Sequence, residues 1–264
     1  MFAAVITLTL LGVIAGAGLG AASRRFSVEK DARTAEVLNV LPGINCGGCG
    51  YPSCAIMADT IVVNKTPPNI CNVATPDALQ TIGKILGIDV IADVKLVARL
   101  LCGGDKNACP PVAEYDGPME CGIMSAIAGG GKQCAYGCLG GKTCVSACKY
   151  NAIFMGENGL PVIIEGKCIS CGLCVTACPR GLIKLLPIDK PVLVACSSHD
   201  KGTAVRNICS KGCIACGICV KACAKRALTV ENSRYYIDFK KCVVNGDCVE
   251  KCPTKAIINS KLTQ

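Results

Sequence analysis

Closely spaced cysteines are the chemically distinctive feature of this chain. The clearest run starts at Cys168 and reads CISCGLCVTACP, which is the spacing C-x2-C-x2-C-x3-C-P. With this spacing three thiolates bind one [4Fe–4S] cluster, and the fourth reaches the neighbouring cluster of a pair. Zinc sites use pairs of cysteines and usually recruit histidine, and His199 is the only histidine in the chain. The run therefore predicts iron–sulfur chemistry, with zinc as the weaker alternative.

A run that precedes this one along the chain supplies its partner. It starts at Cys134 and has wider spacing, and the glycines inside it give the loop conformational freedom. Exchange of the fourth cysteines between the two runs predicts two clusters. The ligands of one would be Cys134, Cys138, Cys144 and Cys178. The ligands of the other would be Cys148, Cys168, Cys171 and Cys174.

A second pair of runs lies near the C-terminus. The same exchange predicts one complete ligand set, formed by Cys213, Cys216, Cys219 and Cys252. The other set has only the thiols of Cys223, Cys242 and Cys248. Asn245 stands where the missing cysteine belongs. This site is expected to hold either a three-iron cluster or a four-iron cluster with an oxygen ligand such as Asp247, and Cys209 is a further candidate ligand.

A different cysteine motif lies closer to the N-terminus. It has the spacing C-x2-C-x4-C-x16-C and consists of Cys46, Cys49, Cys54 and Cys71. The glycines inside its first pair allow close approach to a cluster, so iron–sulfur ligation is favoured over zinc. With this motif the sequence predicts about five clusters. Five cysteines outside these sets form no complete ligand pattern and are expected to be small buried side chains: Cys102, Cys109, Cys121, Cys196 and Cys209.

The elements that position these cysteines are predicted to be short. The chain has 264 residues, 24 of them cysteine, and no tryptophan, so its side chains alone build only small cores. Apolar residues at helical spacing run through residues 76–101, with a break at Gly87. The predicted fold class is α+β, with tandem two-cluster ferredoxin-like domains. The predicted divisions are a transmembrane anchor at 1–23, a linker and cluster domain at 24–101, a bridge at 102–133, and ferredoxin-like domains at 134–187 and 188–264.

The N-terminal segment predicts a membrane anchor. Residues 2–23 carry no charged side chain, a length that can cross a bilayer, and Arg24 and Arg25 follow directly. A signal peptide is the weaker alternative because no Lys or Arg precedes the apolar run. The two arginines place the rest of the chain in the cytoplasm. A reducing cytoplasm disfavours disulfides, which agrees with metal ligation by the cysteines.

The charge of the chain does not indicate a nucleic-acid partner once the clusters are included. The formal net charge is +9, and residues 188–264 carry 13 Lys and Arg against 6 Asp and Glu. Each oxidised cluster with four thiolates contributes a charge of roughly −2, so about five clusters cancel the formal excess. A basic C-terminal end remains, and it is predicted to dock an acidic protein partner.

Together these features resemble the B subunits of the Rnf complex, the membrane-bound ion-translocating ferredoxin:NAD oxidoreductase. The resemblance rests on the runs LPGINCGGCGYPSC and KQCAYGCLGGKTC, on the paired ferredoxin runs and on the apolar N-terminus. It implies a protein held at the inner (plasma) membrane by one span, with its bulk in the cytoplasm. Such a protein takes electrons from reduced ferredoxin and passes them to other subunits of the complex.

The reaction centre for NAD is expected to lie elsewhere in such a complex. The triple glycine at residues 129–131 lacks the Lys-Ser/Thr of a phosphate-binding loop, so no bound NAD or flavin and no catalytic residue is predicted in this chain. Two alternatives remain from the residues themselves. One is an electron-delivery component of another membrane redox system, such as one that reduces a redox-sensing regulator. The other is a zinc-stapled scaffold without redox function.

Overall fold

The computed structural model describes residues 2–25, 31–90, 94–231 and 234–261. Its first helix, α1 (Phe2–Arg25), is the one described helix that is long and apolar enough to cross a bilayer, and the candidate span is Val5–Ser23. None of this span is buried against the rest of the described chain. By length and composition, the helix therefore agrees with the predicted anchor at residues 2–23.

Three helices form the N-terminal module. They are α2 (Ala32–Val40), α3 (Cys54–Val63) and α4 (Pro76–Leu86). The Ser53 hydroxyl accepts a hydrogen bond from the backbone N–H of Ile56 and so caps α3, and Thr75 caps α4 in the same way. The side chains that pack between the helices are Val37, Met57, Ile61 and Ile82, all fully or almost fully buried. This packing fixes the ends of the loop that carries the first cysteines.

The helical spacing predicted over residues 76–101 is correct only for its first half. Helix α4 ends at Leu86, where Gly87 adopts a left-handed conformation with φ of +67°. Farther on, Leu96–Leu100 forms a strand, β1. The middle three residues of β1 are all buried, so buried and exposed residues do not alternate along it. The sequence therefore lacks the two-residue period that would distinguish this strand from a helix. Residues 26–30 of the predicted linker and residues 91–93 of the predicted helical spacing lie outside the described residues.

The first ferredoxin-like module contains β1. Its other elements are α6 (Thr143–Ala147), β2 (Ile153–Met155), β3 (Pro161–Ile163), α7 (Leu173–Ala177) and β4 (Ile183–Pro187). Strands β2 and β3 form a hairpin, and β1 pairs antiparallel with β4. Strand β1 lies before the boundary predicted at residue 101, and it pairs with a strand of the ferredoxin-like domain predicted at 134–187. Between β1 and the first cysteine run of the module lies a segment with one short helix, α5 (Cys121–Ala126).

The second ferredoxin-like module repeats this plan. Its elements are β5 (Val192–Val194), α8 (Gly202–Ile208), α9 (Ile218–Ala222), β6 (Leu228–Glu231), β7 (Arg234–Ile237), α10 (Asp247–Glu250) and β8 (Ile257–Asn259). The first strand again pairs with the last, and β6 and β7 form the hairpin between them. An inserted segment, here with α8, again separates the first strand from the first cysteine run.

The two ferredoxin-like modules meet through these inserted segments. The backbone N–H of Gly103 donates to the carbonyl of Ala195 at 2.7 Å, and that of Ser210 donates to Ala108 at 2.8 Å. Leu101 and Leu193 lie in a small buried cluster beside Ala195. The joint between the modules is therefore built from the regions that carry the cysteines outside the predicted ligand sets.

Candidate iron–sulfur centres

The N-terminal module brings its four predicted ligands to one cavity. Cys46, Cys49, Cys54 and Cys71 all line a space of about 370 Å³. The side-chain oxygen of Asn45 accepts a hydrogen bond from the backbone N–H of Cys54 at 2.7 Å, which closes the loop against the start of α3. Cys171 of the first ferredoxin-like module also lines this cavity.

One predicted set in the first ferredoxin-like module is also brought together. Cys148, Cys168 and Cys174 pack in a single core cluster. The pKa of the Cys174 thiol is raised to about 12, mainly by burial and in smaller part by the neighbouring thiols of Cys168 and Cys171. The backbone N–H of Ala98 in β1 donates to the sulfur of Cys168 at 3.5 Å. Hydrogen bonds of this kind tune the potential of a cluster bound by the same sulfur.

The other predicted set of this module needs a correction. The structure places Cys121 near Cys138 and Cys144: the pKa of Cys138 is raised to about 12, mainly by burial and in smaller part by the thiols of Cys102, Cys121 and Cys144. Burial likewise raises the pKa of Cys144 to about 11, with further contributions from Cys121 and Cys178. Cys134 lies instead in a separate cavity, which Cys138 and Cys144 do not line.

The missed residue, Cys121, is held by the fold rather than by a motif. Its backbone N–H donates to the hydroxyl of Thr143 at 2.7 Å, which fixes the start of α5 beside the start of α6. A Cβ at Gly141 would lie 3.1 Å from the sulfur of Cys121, so only a glycine leaves room there. Cys121 lies 17 positions before Cys138 in the sequence, and no spacing rule connected them.

The second ferredoxin-like module has a complete set of four thiols. Cys213, Cys216, Cys219 and Cys252 line one cavity of about 330 Å³. Burial raises the pKa of Cys213 and of Cys219 to about 11. Because buried thiols with raised pKa values stay protonated at neutral pH, iron binding at these sites must release protons.

The incomplete set lies in a cavity at the other end of the second module. Cys223, Cys242 and Cys248 line about 370 Å³ of empty space together with Asn245. The exposed Asn245 amide donates to a carboxylate oxygen of Asp247 at 2.5 Å, and Asp247 does not line the cavity. Cys209 lines the same separate cavity as Cys134, so the structure does not place it as a ligand here.

The cysteine loops share an unusual backbone conformation. Ser170, Ala215 and Val244 each stand directly before the second ligand position of their runs, and their φ angles are +66°, +53° and +59°. Left-handed backbone is costly for side chains other than glycine, above all for a β-branched one. Val244 adopts it even though a cysteine is missing after it. The loop at Asn245 is therefore shaped like the loops that carry a full set of thiols.

Sets of thiols around cavities of similar size fit iron–sulfur clusters, and comparisons with known proteins agree. A family model described as a putative Fe-S cluster matches residues 41–73. A model described as a 4Fe-4S dicluster domain matches residues 133–187 and 212–256, and a second model with that description matches residues 167–228.

Relatives with similarity over most of the chain are B subunits of ion-translocating oxidoreductase complexes. The chain is 43% identical to the B subunit of the Na(+)-translocating ferredoxin:NAD(+) oxidoreductase complex of Acetobacterium woodii, over 95% of this chain and 75% of that protein. It is 39% identical to the B subunit of the ion-translocating oxidoreductase complex of Methanosarcina acetivorans, over 94% of each chain. It is 38% identical to the B subunit of the proton-translocating ferredoxin:NAD(+) oxidoreductase complex of Clostridium ljungdahlii, over 96% of this chain and 90% of that protein.

Proposed function

Because this chain belongs to the B-subunit family of ion-translocating ferredoxin:NAD+ oxidoreductases, we propose that it carries electrons from reduced ferredoxin to the other subunits of such a complex. It is an iron–sulfur electron-transfer subunit of that oxidoreductase. When bound, a cluster supplies a site for one-electron transfer whose potential depends on its ligands and hydrogen bonds. The protein supplies the ligands, their spacing and the exclusion of water.

The proposed ligand sets follow the thiols that the fold brings together, around cavities in the N-terminal and second ferredoxin-like modules and by side-chain packing in the first. Four sets of four thiols would each hold a [4Fe–4S] cluster. They are Cys46, Cys49, Cys54 and Cys71; Cys148, Cys168, Cys171 and Cys174; Cys121, Cys138, Cys144 and Cys178; and Cys213, Cys216, Cys219 and Cys252. Cys223, Cys242 and Cys248 would hold a three-iron cluster, since the neutral amide of Asn245 is a poor iron ligand and is engaged by Asp247.

The proposal that electrons pass through this chain rests on the order of the cluster sites in space. Cys171 belongs to one set and also lines the cavity of the N-terminal set, where a Cβ at Gly48 would lie 2.0 Å from the Cys171 carbonyl oxygen. Cys174 and Cys144, from the two sets of the first ferredoxin-like module, pack in one buried core cluster. The centres therefore form a row that starts at the N-terminal module.

The far end of the row offers a surface for an acidic partner. Lys225 lines the cavity at Asn245 and is exposed, and the exposed Lys240 and Lys241 directly precede Cys242. Positive charge beside an entry centre would steer an acidic ferredoxin to it. We propose that electrons enter here and leave from the N-terminal module.

Charge reversal tests the entry point. Lys241→Glu combined with Lys225→Glu should slow reduction by ferredoxin by roughly tenfold or more at low salt, with the difference fading as salt screens the charges. Lys241 is chosen because Lys240 also lines a cavity with Cys71 of the N-terminal module. Lys167→Glu is the matched control, because Lys167 is exposed and directly precedes Cys168 in the first ferredoxin-like module. Equal slowing in both variants would place the docking surface elsewhere.

The proposed location follows from α1. We propose that this helix spans the inner (plasma) membrane once and that Arg25 and all later residues lie in the cytoplasm, because basic residues flank the cytoplasmic end of a span. Cytoplasmic placement puts the basic far end within reach of soluble ferredoxin.

A further inference from the structure

Five cysteines outside the ligand sets proposed above share one cavity. Cys102, Cys109, Cys134, Cys196 and Cys209 all line it, around about 440 Å³ of empty space. That volume is comparable to the 330 Å³ and 370 Å³ of the cavities in the second ferredoxin-like module. With this group, the six groups of thiols account for all 24 cysteines of the chain.

Both ferredoxin-like modules contribute to this cavity. Cys102 follows β1 by two residues, and Cys196 follows β5 by two residues, so the two occupy the same place in the two repeats. The backbone bond from Gly103 to Ala195 holds these two positions side by side. Cys209 ends α8, the helix of the second insertion. The cavity therefore depends on the repeat of the module and on the contact between its two copies.

Backbone atoms in the wall of the cavity lie close to the sulfur atoms of its cysteines. A Cβ at Gly104 would lie 3.2 Å from the sulfur of Cys209 and 3.8 Å from that of Cys102, so the backbone at Gly104 lies close to both thiols. The backbone N–H of Cys138 donates to the sulfur of Cys102 at 3.3 Å. A bond of this kind stabilises negative charge on the sulfur, as in a thiolate bound to iron.

The cavity also provides compensating charge. Lys132 and Lys211 both line it. The Lys132 ammonium donates to the carbonyl of Gly104 at 2.7 Å, and that of Lys211 is held by Asp105 at 2.6 Å. Lys132 is a fixed cation beside the thiols, whereas the charge of Lys211 is compensated by Asp105, and Asp200 also lines the cavity. Lys132 therefore offsets part of the negative charge of roughly −2 that an oxidised cubane carries with its four thiolates.

We propose that this cavity is a sixth iron–sulfur site, in which four of the five cysteines bind a [4Fe–4S] cluster shared by the two ferredoxin-like modules. The site goes beyond the proposed function, since a chain that failed to accept electrons from ferredoxin could still hold it.

The position of the site gives it a role in the row of centres. On one side, Cys138 of the first module contacts the sulfur of Cys102 through its backbone N–H. On the other side, Cys196 and Cys213, a ligand position of the second module, pack against the same buried core cluster. A cluster here connects the centres of the two modules, and without it the row is interrupted at the joint.

Metal analysis of the intact chain tests the proposal first. After anaerobic purification, the unmutated protein should contain about 23–24 iron atoms per chain with a matching amount of acid-labile sulfide, against about 19–20 for five sites. About 19–20 iron atoms, or one zinc per chain in addition to them, would overturn the proposal.

Single substitutions then locate the site. Cys102, Cys109, Cys134, Cys196 and Cys209 are each replaced by alanine. Four of the five variants should lose about four iron atoms and about four sulfides, and the fifth identifies the thiol that is not a ligand. The matched control is Ser198→Ala, because Ser198 lines the same cavity, is buried and carries no sulfur. The proposal is wrong if all five cysteine variants keep the iron of the control.

Discussion

At the level of single residues, the loop at Asn245 keeps the backbone conformation of a cluster-binding loop, although Asn245 supplies no thiol. Val244 has the left-handed φ found at Ser170 and Ala215. The carboxylate of Asp247 accepts a hydrogen bond from the amide of Asn245 and does not line the cavity. The geometry therefore favours a three-iron cluster over oxygen ligation of a fourth iron.

Introducing the thiol should convert this site. In the unmutated protein, mild oxidation should produce the paramagnetic signal of an oxidised three-iron cluster, measured by electron paramagnetic resonance. Asn245→Cys should abolish that signal and add about one iron per chain, because the loop already has the conformation of a four-thiol site.

A second variant separates the two ligand hypotheses. Asp247→Ala should leave the three-iron signal unchanged, since this carboxylate contacts Asn245 rather than the cavity. If Asp247→Ala instead creates a three-iron signal that the unmutated protein lacks, the carboxylate is a ligand and our account of this site is incorrect.

The cysteines also show how far sequence spacing predicts ligation. Regular runs such as the one from Cys168 hold three thiols on one turn, and Cys168 and Cys174 pack in one core cluster. The wider run from Cys134 to Cys148 does not fix its ligands in this way. There, the thiol of Cys134 lies in one cavity while Cys138 lies near Cys121. Which thiols meet is decided by tertiary contacts at the joint, which spacing does not encode.

At the level of elements, the position of β1 depends on a buried charge. Arg99 in β1 is only 3% exposed, and its guanidinium donates to Glu165 at 3.1 Å and 3.2 Å. It also donates to the carbonyls of Ile188 and Lys190, in the segment that leads to the second module. The hydroxyl of Ser260, beside β8, donates to the same oxygen of Glu165 at 3.1 Å. A single ion pair thus connects the first module, the linker and the second module.

Removal of this arginine should destabilise the joint. Arg99→Ala leaves the carboxylate of Glu165, only 13% exposed, without its cation, which should lower the free energy of unfolding by about 3–5 kcal/mol. The measurement is denaturant unfolding under anaerobic conditions, followed by the visible absorbance of the clusters. Arg33→Ala is the control: Arg33 pairs with Asp31 on the exposed start of α2, and a loss there should be under about 1 kcal/mol. Equal losses would show that the Arg99 pair does not hold the modules together.

The N-terminal helix should act independently of the cluster-binding elements. Deletion of residues 2–23 removes the apolar span but no residue of the described cores. The truncated protein should remain in the soluble fraction with its full iron content, whereas the intact chain should stay with membranes after a high-salt wash. Retention of the truncated protein on washed membranes would assign anchoring to another surface. A mature N-terminus near residue 23 would show instead that the segment is a cleaved signal peptide.

At the scale of the whole molecule, the repeat and its joint support a row of centres longer than either module could hold. In our proposal each ferredoxin-like module binds its own pair of clusters through crossed ligands, and this part was predictable from the runs. The shared cavity was not, since its cysteines come from two insertions that are far apart in sequence and meet only because β1 and β5 start equivalent folds. The N-terminal module extends the row through the contact of Gly48 with Cys171.

Interrupting the row at the joint should separate its two ends functionally. Electron transfer between centres falls steeply with distance, so loss of the shared cluster should leave the second module reducible by ferredoxin while the N-terminal module is reduced slowly. We expect Cys196→Ala to show fast reduction of the second module's clusters followed by a slow phase, at least tenfold slower than in the unmutated protein. Rapid-freeze electron paramagnetic resonance, which follows the individual reduced clusters, measures the two phases.

The control and the direction of entry determine how this experiment is interpreted. Ser198→Ala keeps the thiols of the cavity and should show a single fast phase, because only a hydroxyl is lost. If electrons enter at the N-terminal module instead, the order of the phases in Cys196→Ala reverses, and the second module becomes the slow one. A single fast phase in Cys196→Ala, with the shared cluster absent by iron analysis, would mean that the two modules exchange electrons directly and that the joint is not part of the route.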